Sequence, residues 1–260
     1  MLFNLNEGGF LFHIFKEGVQ KDWHYYLTYL GFVLIVILGS YLLGSINSSI
    51  IISRVLYRDD IRKHGSGNAG MTNMLRTYGK GAAGLTLLGD MLKTALAILL
   101  AGFLFGFWYI DGVCTGEGLC YVAGLFAVIG HIFPVYYGFK GGKGVLATAT
   151  MALILSPLPF LFLFILFVVI VWISKYVSLG SVTVAILYPV VLHGFFALRF
   201  SGADRSLPGL AAFSTIVLAI IIVWCHRGNL QRISNKTERK ISFKKKPKTD
   251  GEESDNAETK

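Results

Sequence analysis

Charged residues are scarce in this chain, at 15% of its 260 residues, whereas hydrophobic residues make up 54%. A composition of this kind, with charges kept out of long apolar runs, argues against a water-soluble domain. Inside a bilayer a segment must satisfy its own backbone hydrogen bonds, and an uncharged run of about 20 residues does so as a helix. The sequence therefore predicts an all-α, polytopic membrane protein.

Cysteine is scarce too, and the three cysteines of the chain show no metal-ligand spacing to histidine. We therefore expect no metal site. Cys114 and Cys120 lie in one short loop, which leaves a disulfide and two free thiols open as alternatives. No internal repeat and no separate soluble domain is recognisable in the sequence.

A signal peptide is not predicted, because residues 1–21 have neither a basic start nor a small-residue cleavage site. Residues 1–22 are interpreted instead as an extracytoplasmic or interfacial segment. The net charge of +9 does not indicate nucleic-acid binding, because the lysines and arginines lie beside apolar segments and in the last stretch of the chain. That pattern is typical of cytoplasmic membrane edges that face anionic lipid.

The apolar runs predict a domain of seven transmembrane helices between residues 23 and 226. Residues 144–174 would form one helix about 46 Å long, against a hydrocarbon core of roughly 30 Å. Because Ser156–Pro159 interrupts this run, we predict two short helices joined there. Basic residues place the N-terminus outside and the C-terminus in the cytoplasm, where residues 227–260 are predicted to be a tail, first basic and then disordered.

Two of the predicted crossings contain polar residues. The first, over residues 30–52, is predicted as one helix whose polar stretch Gly44–Ser49 faces the other helices. The second contains Asp90 and Lys93, which lie on one helix face and can pair. A charged pair inside the membrane indicates either a functional site or a brace within the helix bundle.

Four clusters of polar and basic residues lie at the predicted cytoplasmic edge, and each has a structural alternative. Glycines beside lysines let a phosphate approach the backbone, but they also suit an ordinary loop. A serine can cap a helix, and an arginine can mark topology. Because the topology brings all four to one membrane face, we predict a basic pocket that opens sideways to acyl chains. The clusters are Ser66, Asn68, Thr72, Asn73 and Arg76; Lys140, Gly141, Gly142 and Lys143; Ser178 and Ser181; and His226, Arg227, Asn229 and Arg232.

Several motifs occur in a fixed order between residues 41 and 239. The motifs are Gly65-Ser66-Gly67-Asn68 with Thr72-Asn73-x-x-Arg76, Gly130-His131-x-x-Pro134, Gly138-Phe139-Lys140-Gly141-Gly142-Lys143-Gly144, Tyr176-Val177-Ser178-Leu179, and His226-Arg227-x-Asn229-x-x-Arg232. In spacing, order and topology they resemble those of the bacterial acyl-phosphate-dependent glycerol-3-phosphate acyltransferases, in which an Asp-x-x-Lys pair like Asp90 and Lys93 is also usual.

The chain departs from this family pattern at two places. Leu146-Ala147 follows Val145 where the family usually has Ala-Thr, so the resemblance gives no role to Thr148. Lys236 stands where the family often has glycine.

The resemblance implies transfer of a fatty acyl group from acyl phosphate to the 1-hydroxyl of glycerol 3-phosphate, in the bacterial cell (inner) membrane. No cofactor is expected, because an acyl phosphate is already activated. The expected partners are the lipid bilayer and an enzyme that supplies acyl phosphate, with no nucleic acid. The implied catalytic residues are Ser66, Arg76, Lys143, His226 and Asn229, and the implied substrate-binding residues are Asn68, Thr72, Asn73, Lys140, Gly141, Gly142, Ser178 and Arg232.

Other functions remain open at this point. A transporter or binding protein for a small phosphate ester would also need a basic pocket in a helical bundle. Within the enzyme hypothesis, either His226 acts as the general base or an oxygen of the acyl phosphate accepts the proton.

Overall fold

The computed structural model describes residues 23–105, 117–199 and 209–241, and all regular structure within these ranges is helical. The expectations for residues 1–22, for Cys114 and for the tail beyond residue 241 lie outside the described residues. In chain order the helices are α1 Trp23–Ser45, α2 Ser48–Tyr57, α3 Met71–Thr77, α4 Lys80–Phe105, α5 Glu117–Ile132, α6 Val145–Leu155, α7 Pro157–Ser174, α8 Val177–Arg199 and α9 Gly209–Ser234, with short 3₁₀ turns at Ile61–Lys63 and Val135–Tyr137.

The prediction of an all-α membrane protein is confirmed. Six stretches of the described chain are long and apolar enough to cross a membrane, and α6 is a seventh, shorter apolar helix. Helix α6 has 11 residues, so it rises about 16 Å, roughly half the hydrocarbon thickness. It ends at Leu155 and α7 begins at Pro157, which confirms the predicted break near Ser156–Pro159.

The first crossing differs from the single helix predicted over residues 30–52. Helix α1 ends at Ser45, and Asn47 caps α2 by accepting a hydrogen bond from the backbone N–H of Ile50 at 3.2 Å. The Ile46 carbonyl oxygen, which lies at the break, accepts a hydrogen bond from Lys93 Nζ at 2.8 Å. The polar stretch therefore ends one helix and starts the next.

Helix α5 lies at the centre of the bundle and contacts α1, α4, α6 and α9. Its crossing with α1 is close because glycines lie at the contact. A Cβ atom at Gly44 would come within 2.7 Å of the Ala127 Cα, and one at Gly130 within 2.8 Å of the Ser45 N. This close crossing brings the C-terminal end of α5 to the break between α1 and α2.

A buried cluster of Asp90, Lys93 and His131 connects α4 and α5 to the break between α1 and α2. Lys93 Nζ lies 2.9 Å from Asp90 Oδ1 and 3.0 Å from His131 Nδ1, and it also donates to the Ile46 carbonyl oxygen. The contacts with His131 and Ile46 are hydrogen bonds, and the contact with Asp90 is an ion pair. The cluster therefore acts as a brace between α4, α5 and the end of α1.

Candidate active site

A cavity of about 400 Å³ lies where α3, α6, α8 and α9 come together. Its wall is polar at one end and apolar at the other. Each of the four predicted clusters contributes to this one cavity. The predicted site residues on its wall are Ser66, Asn68, Thr72, Asn73, Arg76, Lys143, Ser178, His226 and Asn229, and Ser181 joins them.

Asn73 shapes the segment that leads into α3. Its buried side chain accepts a hydrogen bond from the Ser66 backbone N–H at 3.1 Å and donates to the carbonyl oxygens of His64 at 2.9 Å and Ile61 at 3.2 Å. These bonds fix the backbone of Ser66 at the cavity wall. Arg76 follows on α3, and within the described ranges its guanidinium has no hydrogen-bond or ion-pair partner. That group is available to an anion.

The glycine-rich loop, residues 138–144, is fastened to the end of α5 through its backbone. The Gly141 N–H donates to the carbonyl oxygen of Ile132, and the Gly142 N–H donates to that of His131, each at 3.1 Å. These two amides are therefore engaged with the helix end and are not directed into the cavity. Neither glycine lies on the cavity wall.

The outer part of the same loop is held by Arg62. Asp60 Oδ2 accepts from Arg62 Nη2 at 2.8 Å, and Arg62 Nη1 donates to the carbonyl oxygen of Tyr137 at 2.9 Å. Lys140 is exposed and, like Arg232, does not line the cavity. Of the two loop lysines, Lys143 is the one that reaches the cavity.

One carboxylate gathers the polar residues around Lys143. Lys143 Nζ donates to Asn229 Oδ1, and Asn229 Nδ2 donates to Glu238 Oε1 at 2.6 Å. The Ser178 hydroxyl donates to the same oxygen at 3.0 Å, and Arg232 Nε donates to Oε2 at 2.8 Å. Glu238 thereby joins α8, α9 and the glycine-rich loop. Arg232, which was predicted to bind substrate, donates its hydrogen bond to this carboxylate instead.

Glu238 is a wall residue that the motifs do not predict. One signal in the sequence points to it, because it is the sole acidic residue between residues 227 and 248. The turn that carries it contains Lys236 in the left-handed conformation, with φ of 57°. Glycine adopts this conformation without strain, whereas lysine rarely does.

Glu238→Gln is expected to destabilise the protein by about 1–3 kcal/mol at pH 7, because the charge-assisted hydrogen bonds are weakened. Burial acts to raise the pKa of Glu238, but the hydrogen bonds from Asn229, Arg232 and Ser178 outweigh it and hold the pKa below its usual value. The stabilisation is therefore present above the unfolded pKa of about 4.3 and is lost as the pH falls through the lower folded value. Thermal unfolding in detergent should show a smaller decline below about pH 4 in the variant; equal acid sensitivity would contradict this assignment.

The two histidines on the cavity wall carry the ring proton on different nitrogens. His226 Nδ1 lies 2.8 Å from the Ile222 carbonyl oxygen, which can only accept, so Nδ1 carries the proton and Nε2 keeps its lone pair. His131 Nδ1 faces the Lys93 ammonium, which can only donate, so the proton is on Nε2. His226 is therefore ready to accept a proton, and His131 is not.

The apolar end of the cavity lies between α6, α7 and α8. Phe164 on this wall is half exposed, so the cavity reaches the outer surface of α7. This end suits an alkyl chain, and the polar end, with Arg76 and Lys143, suits a phosphate group. Burial lowers the pKa of Lys143, and Glu238 acts in the opposite direction. The apolar wall includes Ala152, Phe160, Leu163, Phe164, Phe167, Val184 and Tyr188.

Comparison with known proteins gives one consistent result. The family described as "Glycerol-3-phosphate acyltransferase" matches residues 34–236. A glycerol-3-phosphate acyltransferase of Alkaliphilus metalliredigens is 41% identical over 211 residues, covering 81% of this chain and 97% of the relative. One of Halalkalibacterium halodurans is 40% identical over 221 residues, covering 83% and 98%.

Two solved structures are also similar, both of PlsY, an integral membrane glycerol 3-phosphate acyltransferase. Its glycerol 3-phosphate form has a TM-score of 0.69 and 33% identity, covering 81% of this chain and 96% of PlsY. Its lysophosphatidic acid form has a TM-score of 0.66 and 32% identity, with coverage of 81% and 95%. With its helical fold, its motifs and these matches, the chain belongs to the glycerol-3-phosphate acyltransferase family.

Proposed function

We propose that this protein transfers a fatty acyl group from acyl phosphate to the 1-hydroxyl of glycerol 3-phosphate, releasing lysophosphatidate and inorganic phosphate. The observation that carries the proposal is a single cavity with the cations of Arg76 and Lys143 at one end and an apolar wall at the other. Both substrates carry a phosphate, and one of them carries an alkyl chain. The PlsY structures in glycerol 3-phosphate and lysophosphatidic acid forms support the same substrate and product.

The reaction follows from holding the two substrates together. The 1-hydroxyl oxygen of glycerol 3-phosphate attacks the carbonyl carbon of the acyl phosphate, and the bond from that carbon to the phosphate oxygen breaks. Inorganic phosphate leaves with the electron pair. Arg76 and Lys143 bind phosphate groups, while Ser66, Asn68, Thr72 and Ser178 line the same end of the cavity and position the reacting groups. Such positioning supplies a large part of the rate.

His226 accepts the proton of the attacking hydroxyl in this proposal, since its Nε2 lone pair is free and Asn229 lies one turn away on the same helix face. His226→Gln is expected to lower kcat by about 10²–10⁴-fold and to abolish the rise of kcat on the acidic side of the pH profile. Initial rates between pH 5 and pH 9 measure this. A variant that keeps the acidic rise would assign the proton to the phosphate oxygen of the substrate instead.

The proposal includes the membrane in which the reaction takes place and the source of the acyl donor. The protein lies in the bacterial cell membrane with its N-terminus outside and its C-terminus in the cytoplasm, since basic residues flank the cavity end of the helices. An enzyme that makes acyl phosphate supplies the donor. No cofactor is needed, because the phosphoric–carboxylic anhydride provides both the activated carbonyl and the leaving group.

Purified protein in detergent, given acyl phosphate and glycerol 3-phosphate, is expected to form lysophosphatidate and phosphate in equal amounts. Acyl-CoA in place of acyl phosphate is expected to give no product. Product from acyl-CoA alone would contradict the assigned donor. Uptake of glycerol 3-phosphate into proteoliposomes without any lysophosphatidate would support the transporter alternative.

A further inference from the structure

Thr148 is a buried residue of α6 whose hydroxyl has no partner. The residue is 7% exposed and lies on the cavity wall. Its Oγ1 makes no hydrogen bond within the described part of the chain and has almost no accessible surface, so a ligand in the cavity reaches it only after the side chain rotates about χ1. A buried hydroxyl without a partner is unfavourable, so such a group in a cavity points to a bound ligand that completes it.

Other buried threonines in this protein do have a hydrogen-bond acceptor for their hydroxyl group. Thr150, two residues further on in the same helix, donates its hydroxyl to the Leu146 carbonyl oxygen at 2.9 Å. Thr86 does the same to the Ala82 carbonyl oxygen at 2.8 Å. Bonding to the carbonyl four residues back is thus the common solution here, and Thr148 does not use it.

The position of Thr148 matches the order of groups in an acyl phosphate. Thr148 and Ala152 of α6, with Gly144 directly before the helix, form one stripe along the cavity. Thr148 lies about 6 Å beyond Gly144, and Ala152 lies about 6 Å further towards the apolar end. Lys143 marks the phosphate end of this stripe. A donor that places its phosphate at Lys143 and its alkyl chain beyond Ala152 has its carbonyl group between them.

We propose that Thr148 is a further catalytic residue, whose Oγ1–H donates a hydrogen bond to the carbonyl oxygen of the acyl donor. This inference rests on the proposed function. As the substrate hydroxyl adds to the carbonyl carbon, the C=O π electrons move onto the carbonyl oxygen, and Thr148 stabilises that negative charge. The C=O bond then re-forms and expels phosphate, while Thr148 keeps its proton throughout. Such a donor acts strongly because water is excluded around it.

Thr148→Val tests the proposal, because valine keeps the shape of threonine and replaces only the hydroxyl with a methyl group. We expect kcat to fall about 10²–10³-fold, the usual effect of losing one such donor, with little change in KM for glycerol 3-phosphate. Thr148→Ser is expected to recover most of kcat. The melting temperature of Thr148→Val should be equal to or above that of the wild type, because a buried hydroxyl without a partner has been removed.

Thr150→Val is the matched control, since the same atom is lost from a buried threonine of the same helix that does not line the cavity. It is expected to keep the kcat of the wild type. Wild-type rates in Thr148→Val, or equal losses in both variants, would overturn the role of Thr148 and leave the proposed function standing. Absence of lysophosphatidate with the wild-type protein would overturn the proposed function and this inference together.

Discussion

Lys143→Met is expected to lower kcat/KM for acyl transfer by about 10²–10³-fold, because it removes a positioned donor that carries charge. Methionine retains much of the apolar stem of lysine, so the packing of the loop changes little. The ammonium group also binds Asn229 Oδ1, and through Asn229 it contacts the Glu238 network. We therefore expect both a weaker affinity for phosphate and a less well-placed Asn229.

The measurement is steady-state kinetics with each substrate varied in turn, and Lys140→Met provides the comparison. Lys140 lies in the same loop but is exposed and absent from the cavity wall. Its replacement is expected to change kcat/KM by less than about threefold, the scale of ordinary surface substitutions. Equal losses in both variants would restore the sequence-based hypothesis that Lys140 binds substrate, and would contradict the arrangement described here.

Lys93→Met is expected to destabilise the protein by about 3–5 kcal/mol, the usual result of removing one partner from a buried ion pair. The Asp90 carboxylate would remain buried without its counter-ion. The Ile46 carbonyl and His131 Nδ1 would each lose a donor. Thermal unfolding of the purified protein in detergent measures the effect.

A double variant distinguishes the effect of breaking the ion pair from the effect of losing a lysine side chain. Lys93→Met combined with Asp90→Asn is expected to recover part of the lost stability, because no unpaired charge remains buried. Lys80→Met, at the exposed start of the same helix, is expected to change stability by less than about 0.5 kcal/mol. If Lys93→Met unfolds like the wild type, the cluster is not a brace.

Hydropathy and the proline break were enough to predict the helical membrane fold, since each depends on a short stretch of sequence. The division of the first crossing at Asn47 was not predicted. The serines and Asn47 within Gly44–Ser49 fit either interpretation, and the break is stabilised by Lys93, which lies 47 residues from Ile46 in the chain. A contact of that range is not visible in a local pattern.

The candidate active site, too, depends on contacts that a local sequence pattern does not show. Motif positions indicated most of the polar residues of the cavity wall, because similar chemistry needs similar side chains. They could not indicate that the amides of Gly141 and Gly142 are already bound to carbonyl oxygens of α5. Nor could they indicate Thr148, where the chain departs from the family pattern and only the three-dimensional arrangement reveals an unpaired hydroxyl.

The carboxylate of Glu238 has a consequence for how the protein is made. It follows the last described helix, yet it organises residues from α8, α9 and the glycine-rich loop. During synthesis, a chain with only its earlier segments inserted already carries Arg76 and Lys143, but it lacks His226, Asn229 and the Glu238 carboxylate. The cavity wall is therefore complete only when translation has passed the final crossing.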